Sequence, residues 1–296
     1  MLTYTGSHDG TAYPNTLKIL VTGAGGLLAG AVVRAARSKN HDVCPLDRDD
    51  LEVTDGPEVE RRIAEERPEV VVHCAAYTAV DRAEGEADLA MRINRDGTHH
   101  VALAAAQVGV TVLYPSTDYV FDGSSHRPYR PDDEPGPLSA YGRSKLEGER
   151  ALASAGGRWA VVRTSWLYGE DGPDFVDVIL GASGRSDPMT IVDDQVGCPT
   201  WTGSLAPALI ELAEKGVLGT LHLCDRGEAS WLDLAREVAT LAGIEVEMTA
   251  TTTETWGAAA ERPRYSVLDC SETEHRMGRT IPAWRASLRT YLEKVR

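Results

Sequence analysis

The chain has 296 residues, of which 42% are hydrophobic and 25% charged. That length and apolar fraction exclude both a mini-protein held by disulfide staples and an unfolded polar chain. A formal charge of −15 disfavours nucleic acid and anionic membrane as partners, and it obliges any anionic ligand to find a local basic or amide-rich pocket.

Residues 1–16 are polar and turn-rich, lack the basic and apolar regions of a secretory signal, and read as a flexible extension. No apolar run approaches the ~20 residues of a membrane span, so a cytoplasmic protein is expected. A strand is expected over 17–22, a helix over 27–37, a strand over 43–46, and a helix over 57–66 with Asp55 as a cap candidate. Next come a strand over 70–73, a long helix over 87–108, a strand over 110–114, a helix over 141–153 and a strand over 159–163. Apolar strands alternating with helices predict an α/β, doubly wound parallel sheet covered on both faces. Beyond residue 170 the pattern loosens. Helices are expected over 205–215, 231–242 and 283–295, with residues 249–255 extended or looped. The organisation read from this is a dinucleotide-binding layer over 17–170 and a smaller substrate-binding lobe over 171–296, some of whose segments return to the sheet.

Cys44, Cys74, Cys198, Cys224 and Cys270 are odd in number and scattered, with no paired spacing, so reduced thiols are expected in place of a disulfide framework or zinc site. The eight histidines show no ligand-pair spacing, His99-His100 reads as helix surface, and no metal site is predicted.

The first strand runs into Gly23-Ala24-Gly25-Gly26-Leu27-Leu28 and then a helix. This is a dinucleotide fingerprint in its proper context: glycines let backbone N–H groups approach a pyrophosphate, and the helix N-terminus adds partial positive charge. Ala29 stands where a third glycine is usual, the smallest possible change. The second strand ends in Asp47-Arg48. The aspartate suits the ribose hydroxyls of NAD and the arginine the extra phosphate of NADP, which leaves NADH and NADPH both open. Asp55 reads either as an adenine neighbour or as a helix cap.

Two more strand ends carry polar strings, Cys74-Ala75-Ala76-Tyr77-Thr78-Ala79-Val80-Asp81 and Ser116-Thr117-Asp118-Tyr119, and Tyr141-Gly142-Arg143-Ser144-Lys145 opens a helix. Tyr141 and Lys145 are one helical turn apart. An ammonium beside a phenol lowers its pKa from ~10, and Thr117 can hold a carbonyl oxygen beside Tyr141. The three predict a carbonyl reductase site, with hydride from a nicotinamide and the proton from tyrosine.

These strings, with Arg163-Thr164-Ser165-Trp166-Leu167-Tyr168-Gly169, Asp194-Gln195-Val196-Gly197-Cys198-Pro199-Thr200, Arg262-Pro263 and Trp284, resemble the dTDP-4-dehydrorhamnose reductase family of extended short-chain dehydrogenases/reductases over residues 17–296. The resemblance implies a Rossmann-type fold and a Thr117, Tyr141, Lys145 triad. Cofactor contacts are expected from Gly23, Gly25, Gly26, Leu27, Leu28, Asp47, Arg48, Asp55, Ala75, Ala76 and Tyr77. The resemblance implies that Thr78 and Val80 border the nicotinamide and sugar, that Asp118 meets a sugar hydroxyl and that Trp166 packs on the sugar. Tyr119, Gln195 and Arg262 are further substrate-side candidates, Gln195 reading either as a substrate contact or as a residue that shapes a substrate loop, and Arg262 either as a substrate contact or as a solvated surface charge. Arg262 and Arg264 are candidates for the substrate pyrophosphate, and Asn94 for steadying the nucleotide site. The implied substrate is a dTDP-linked 4-keto-6-deoxy sugar, the implied state a monomer or homodimer. Mg2+ is implied only because some family members dimerise around it. Two alternatives remain: an epimerase or dehydratase with tightly held NAD, although Tyr119 stands where a dehydratase carries glutamate, and a non-catalytic regulatory subunit.

Overall fold

Alternate side chains of the first strand, Lys18–Thr22 (β1), enter opposite cores. Ile19 and Val21 pack against Ala29, Val32 and Ala36 of helix Leu27–Ser38 (α1), whereas Leu20 meets Val59 and Ile63 of helix Gly56–Glu66 (α2). A strand buried on both faces must be apolar throughout, which is why its sequence shows no polar alternation. The computed structural model describes residues 16–185 and 187–295, so the extension expected before residue 16 lies outside it.

Strands Asp42–Leu46 (β2), Val70–His73 (β3), Thr111–Thr117 (β4) and Arg158–Thr164 (β5) all run parallel to β1 or to one another. Between β3 and β4 lie helices Val80–Ala83 (α3) and Ala87–Met91 (α4), a π-helical turn Arg92–Gly97, and helix Thr98–Val108 (α5). Helix Ala140–Ser154 (α6) joins β4 to β5. The helix expected to run unbroken over 87–108 is therefore interrupted. The strand expected to end at Tyr114 continues through Pro115 to Thr117, because pairing with β3 stops at Leu113 while pairing with β5 persists. A proline at that point forfeits no donor needed by β3.

The rest of the chain opens with short strands and helices: Leu167–Tyr168 (β6), Phe175–Leu180 (α7), Met189–Val192 (β7), Val196–Gly197 (β8) and Thr200–Trp201 (β9). Helix Thr202–Glu214 (α8) packs on α1, and strand Gly219–His222 (β10) pairs with β5 as the sixth strand of the main sheet. Strand Ala229–Ser230 (β11) leads into helix Trp231–Ala242 (α9). Strand Met248–Thr251 (β12), from the stretch expected to be extended or looped, pairs with β7. Helices Thr253–Trp256 (α10), Ser271–Met277 (α11) and Trp284–Val295 (α12) complete the fold.

The main sheet has the order β10-β5-β4-β3-β1-β2, the doubly wound Rossmann-type class read from the sequence. The chain reverses its direction of winding between β1 and β3, and ligands of such sheets bind beyond the strand ends at that switch point. A separate core of α7, α9 and α12, centred on Trp284 and Leu288, supports the other wall. All five cysteines are free. Three far apart in sequence meet in the interior: Cys224 Sγ lies 3.4 Å from Cys270 Sγ, with Cys198 beside them. No helix among the described residues is long and apolar enough to cross a membrane.

Candidate active site

A cleft of about 810 Å³ opens at the switch point. Its floor is the turn after β1. Gly23 adopts φ +67°, and a Cβ there would lie 2.7 Å from the backbone of Ala75, so the turn tolerates only glycine. A Cβ on Gly25 would meet nothing within 4 Å, so its backbone is bare toward the cleft. Gly26 caps α1 without a side-chain hydrogen bond, which leaves the first amides of that helix for an anion. Leu27 and Leu28 line the same floor. These donors and this clearance fit the pyrophosphate of a dinucleotide.

Beyond β2, Asp47 and Arg48 also line the cleft. The Asp47 carboxylate accepts the N–H groups of Asp49 and Asp50 at 2.8 and 3.1 Å, and Arg48 pairs with Glu52. Ala75, Ala76, Thr78 and Val80 supply the wall after β3. That loop is pinned by Asn94, which lies in the π-helical turn and is wholly buried. Its amide accepts from Tyr77 N–H at 2.8 Å and donates to Tyr77 O and to Ser144 Oγ, tying the loop to α6.

The opposite wall comes from β4 and α6. Ser139 caps α6, and Glu84 accepts the N–H of Ala140, so the first turn holding Tyr141 is fixed from two sides. Thr117, Tyr141 and Lys145 all line the cleft. Burial pushes the Tyr141 phenol up to about 12, with the Thr117 hydroxyl opposing. The lysine was expected to pull this phenol down. Instead its Nζ donates to Pro115 O at 2.8 Å and sits 3.9 Å above the Tyr114 ring, and burial lowers Lys145 itself to about 7. Asp118 and Tyr119 line the cleft as expected, Asp118 almost wholly buried and raised by burial to about 7.

Trp166 projects into the cleft from the turn before β6, with φ +47° and an indole nitrogen that has no partner among the described residues. A tryptophan in the left-handed region is strained, and such strain gathers at functional sites. One face of its ring is stacked on Trp231 at 3.7 Å and 4°, and Phe175 packs edge-on against Trp231.

Asp55, Tyr77, Gln195, Arg262 and Arg264, all picked from sequence, do not line the cleft. Asp55 caps α2, accepting from Glu58 N–H. Tyr77 is buried and donates to Glu86. Gln195 accepts from Trp231 Nε1 and donates to Thr253, so it holds the aromatic pair in place and leaves sugar contact to others. Arg262 forks onto both oxygens of Asp81 at 3.0 and 2.7 Å, tying the C-terminal lobe to α3, and Arg264 is exposed. Conversely, Phe175, Trp231 and Leu234 line the cleft unforeseen. Trp231 sits just inside a capping box, a signal for a helix start that says nothing about what the helix faces. Among the described residues no cluster of three His, Cys, Asp or Glu side chains suits a metal ion.

A family model described as the RmlD substrate binding domain matches residues 17–296. The dTDP-4-dehydrorhamnose reductase of Streptomyces griseus is 42% identical over 276 residues, covering 91% of each chain. The chain belongs to the dTDP-4-dehydrorhamnose reductase family. Another family relative, a probable dTDP-4,6-dihydroxy-2-methyloxan-3-one 4-ketoreductase of Streptomyces antibioticus, is 40% identical over 92% of this chain and 94% of its own. The solved dTDP-4-dehydrorhamnose reductase of Bacillus anthracis in complex with NADP superposes with a TM-score of 0.91 at 34% identity, covering 94% and 99% of the two chains. A UDP-glucose 4-epimerase of Thermus thermophilus, 22% identical with a TM-score of 0.78 over 93% and 98% of the chains, shares the fold.

Proposed function

We propose that this reductase-family chain uses NADPH or NADH to reduce the C4 ketone of a dTDP-4-keto-6-deoxy sugar. The first candidate is dTDP-4-dehydrorhamnose (dTDP-6-deoxy-L-lyxo-4-hexulose), giving dTDP-L-rhamnose. The observation that carries the reading is the convergence of Thr117, Tyr141 and Lys145 on the cleft whose floor is the glycine turn. The proposed setting is cytoplasmic, as a monomer or homodimer, without nucleic acid or membrane.

The nicotinamide cofactor, when bound, supplies the hydride. Gly23 to Leu28 would hold its pyrophosphate, and Asp47 or Arg48 its adenosine ribose. Tyr141 holds the proton destined for the ketone oxygen. Reduction requires the phenol in its protonated form, the form a tyrosine already holds at neutral pH and that burial reinforces. Thr117 orients the oxygen beside it. Lys145, whose Nζ donates to Pro115 O, stands one turn behind Tyr141, where it would donate to a ribose hydroxyl of the bound cofactor. The aromatic wall of Trp166, Trp231 and Phe175 excludes water from a sugar ring.

The decisive experiment follows NADH and NADPH oxidation against a panel of dTDP-4-keto-6-deoxy sugars. Consumption with one or more of them supports the reading; tightly held NAD with no net consumption supports the epimerase or dehydratase alternative. Tyr141→Phe is expected to lower kcat about 10²-fold or more while cofactor binding persists, the usual scale for a lost general acid. Normal turnover by that variant would remove tyrosine from the mechanism.

A further inference from the structure

Helix α1 carries a glycine that the cofactor turn does not use. Gly30 lies one turn inside the helix, past the amides at its start. A Cβ there would lie 2.6 Å from Asp171 Cγ, so the Asp171 carboxylate rests on the helix surface itself. Arg34, one turn further on, forks onto that carboxylate: Nη1 donates to Oδ1, and Nη2 donates to Oδ2 at 2.6 Å. Leu27, Gly30 and Arg34 form one stripe along α1. At the head of the stripe lies Gly172, where a Cβ would be 3.9 Å from Leu27 Cβ, and Leu27 lines the floor of the cleft. Segment 169–174 therefore runs along α1 beside the turn that would hold the cofactor pyrophosphate.

The ends of this segment are closed on each other and its middle is tied to two helices. Asp174 accepts the Gly169 N–H at 2.8 Å and caps α7, and Tyr291 of α12 donates to Gly169 O at 3.3 Å. Glu170 accepts from Lys294 of α12 at 2.6 Å and stands 3.9 Å from Arg34. On the inner side Pro173, Asp174 and Phe175 line the cleft, and Phe175 packs against Trp231. The segment thus joins the glycine turn to the aromatic wall. We propose that segment 169–174 is a strap that retains the nicotinamide cofactor, with Asp171 and Arg34 as the positioning pair that holds it down on α1. The proposal rests on the cofactor part of the reading above.

Asp171 and Arg34 do not line the cleft, so both act through the strap. A pair that influenced the cofactor only through its field would behave differently. Arg34 attracts a pyrophosphate and Asp171 repels it, so removing them singly would change affinity in opposite directions. A pair that holds the strap down fails in the same direction whichever partner is lost. The Arg34 side chain is 47% exposed and that of Asp171 25%, which limits the pair to the strength of a surface ion pair. Its two-pronged geometry places it at the upper end of that range, about three- to fivefold in an equilibrium.

The test is the rate of NADPH release, followed by stopped-flow fluorescence without sugar, together with the Tm of the cofactor-free protein. Arg34→Gln and Asp171→Asn should each release NADPH about three- to fivefold faster, and the double variant no faster than either alone, because the two side chains act as one unit. Gly30→Ala keeps both charges. Its added methyl displaces the Asp171 carboxylate from α1, while the helix gains from losing a glycine. It should melt no lower than wild type and still release NADPH faster. Opposite effects of the two single charge variants would reduce the pair to an electrostatic influence and overturn the strap. So would a wild-type release rate in Gly30→Ala, or acceleration found only where Tm has fallen. A wild type that binds neither NADPH nor NADH would overturn the cofactor reading, and this proposal with it. Accelerated release in all three single variants of a protein that reduces no keto sugar would support the strap while overturning the reductase reading.

Discussion

At the level of single residues, Gly23 and Trp166 carry the two tightest steric demands of the cleft. Gly23→Ala would pay both for a left-handed backbone and for a Cβ 2.7 Å from Ala75, and the only relief is to move the loop after β3. We expect at least a ~10-fold loss of NADPH affinity, in line with roughly 1–2 kcal/mol for a non-glycine residue held there, and fluorescence titration checks it. Unaltered affinity would mean that the turn does not set the cofactor floor. Residues such as Thr117, Tyr141 and Asp47 were legible because they follow strands or open a helix, where a doubly wound sheet collects its ligands. For Arg262, Tyr77 and Gln195 the sequence left the role open, because their partners, Asp81, Glu86 and Trp231, are set by tertiary contact. An arginine that will fork onto a carboxylate has the same sequence signature as one that will fork onto a phosphate.

At the level of elements, the periodic stretches announced themselves and the short ones did not. Strands β1 to β5 are continuous apolar runs, whereas the four residues of β10 and the two of β6, β8, β9 and β11 are too short for periodicity to mark. The π-helical turn at Arg92–Gly97 was equally silent, since its apolar spacing passes for an α-helix until Asn94 is seen turned toward the loop after β3. Two strands of the main sheet end in buried histidines, His73 on β3 and His222 on β10, both held by burial at about 3. Their folded values lie below the unfolded ~6.5, so they contribute full stability above that pH and lose it progressively as pH falls toward 3. Between pH 7 and 5.5 the pair should cost about 2 kcal/mol of unfolding free energy, read as a lower urea midpoint. His222→Gln should flatten that slope, and a midpoint insensitive to pH in this range would contradict the assignment.

For the whole molecule, the charge of −15 and the phosphate-bearing ligands meet in the cleft itself. Its lining includes Asp47, Asp49, Asp118 and Asp174 against Arg48 and Lys145, so attraction at long range is not what gathers a sugar nucleotide. Backbone amides at the start of α1 act only at contact distance. Raising ionic strength from about 10 to 150 mM should therefore raise kcat/KM, as the shortened Debye length, ~30 Å falling to ~8 Å, screens repulsion more than it weakens those contacts. A fall of kcat/KM over that range would show a cationic funnel that the lining does not reveal. The placement of β10 and α8 has a consequence for how the molecule is made. Both belong physically to the first layer, β10 beside β5 and α8 against α1, yet they come after β6 to β9 in the chain. A nascent chain therefore waits, on the order of several seconds at ~5–20 residues per second, with the outer edge of β5 unpaired and one flank of α1 bare. During that interval the unfinished sheet is a sticky template, and the ribosome's schedule, more than the finished protein's stability, sets its exposure to wrong partners.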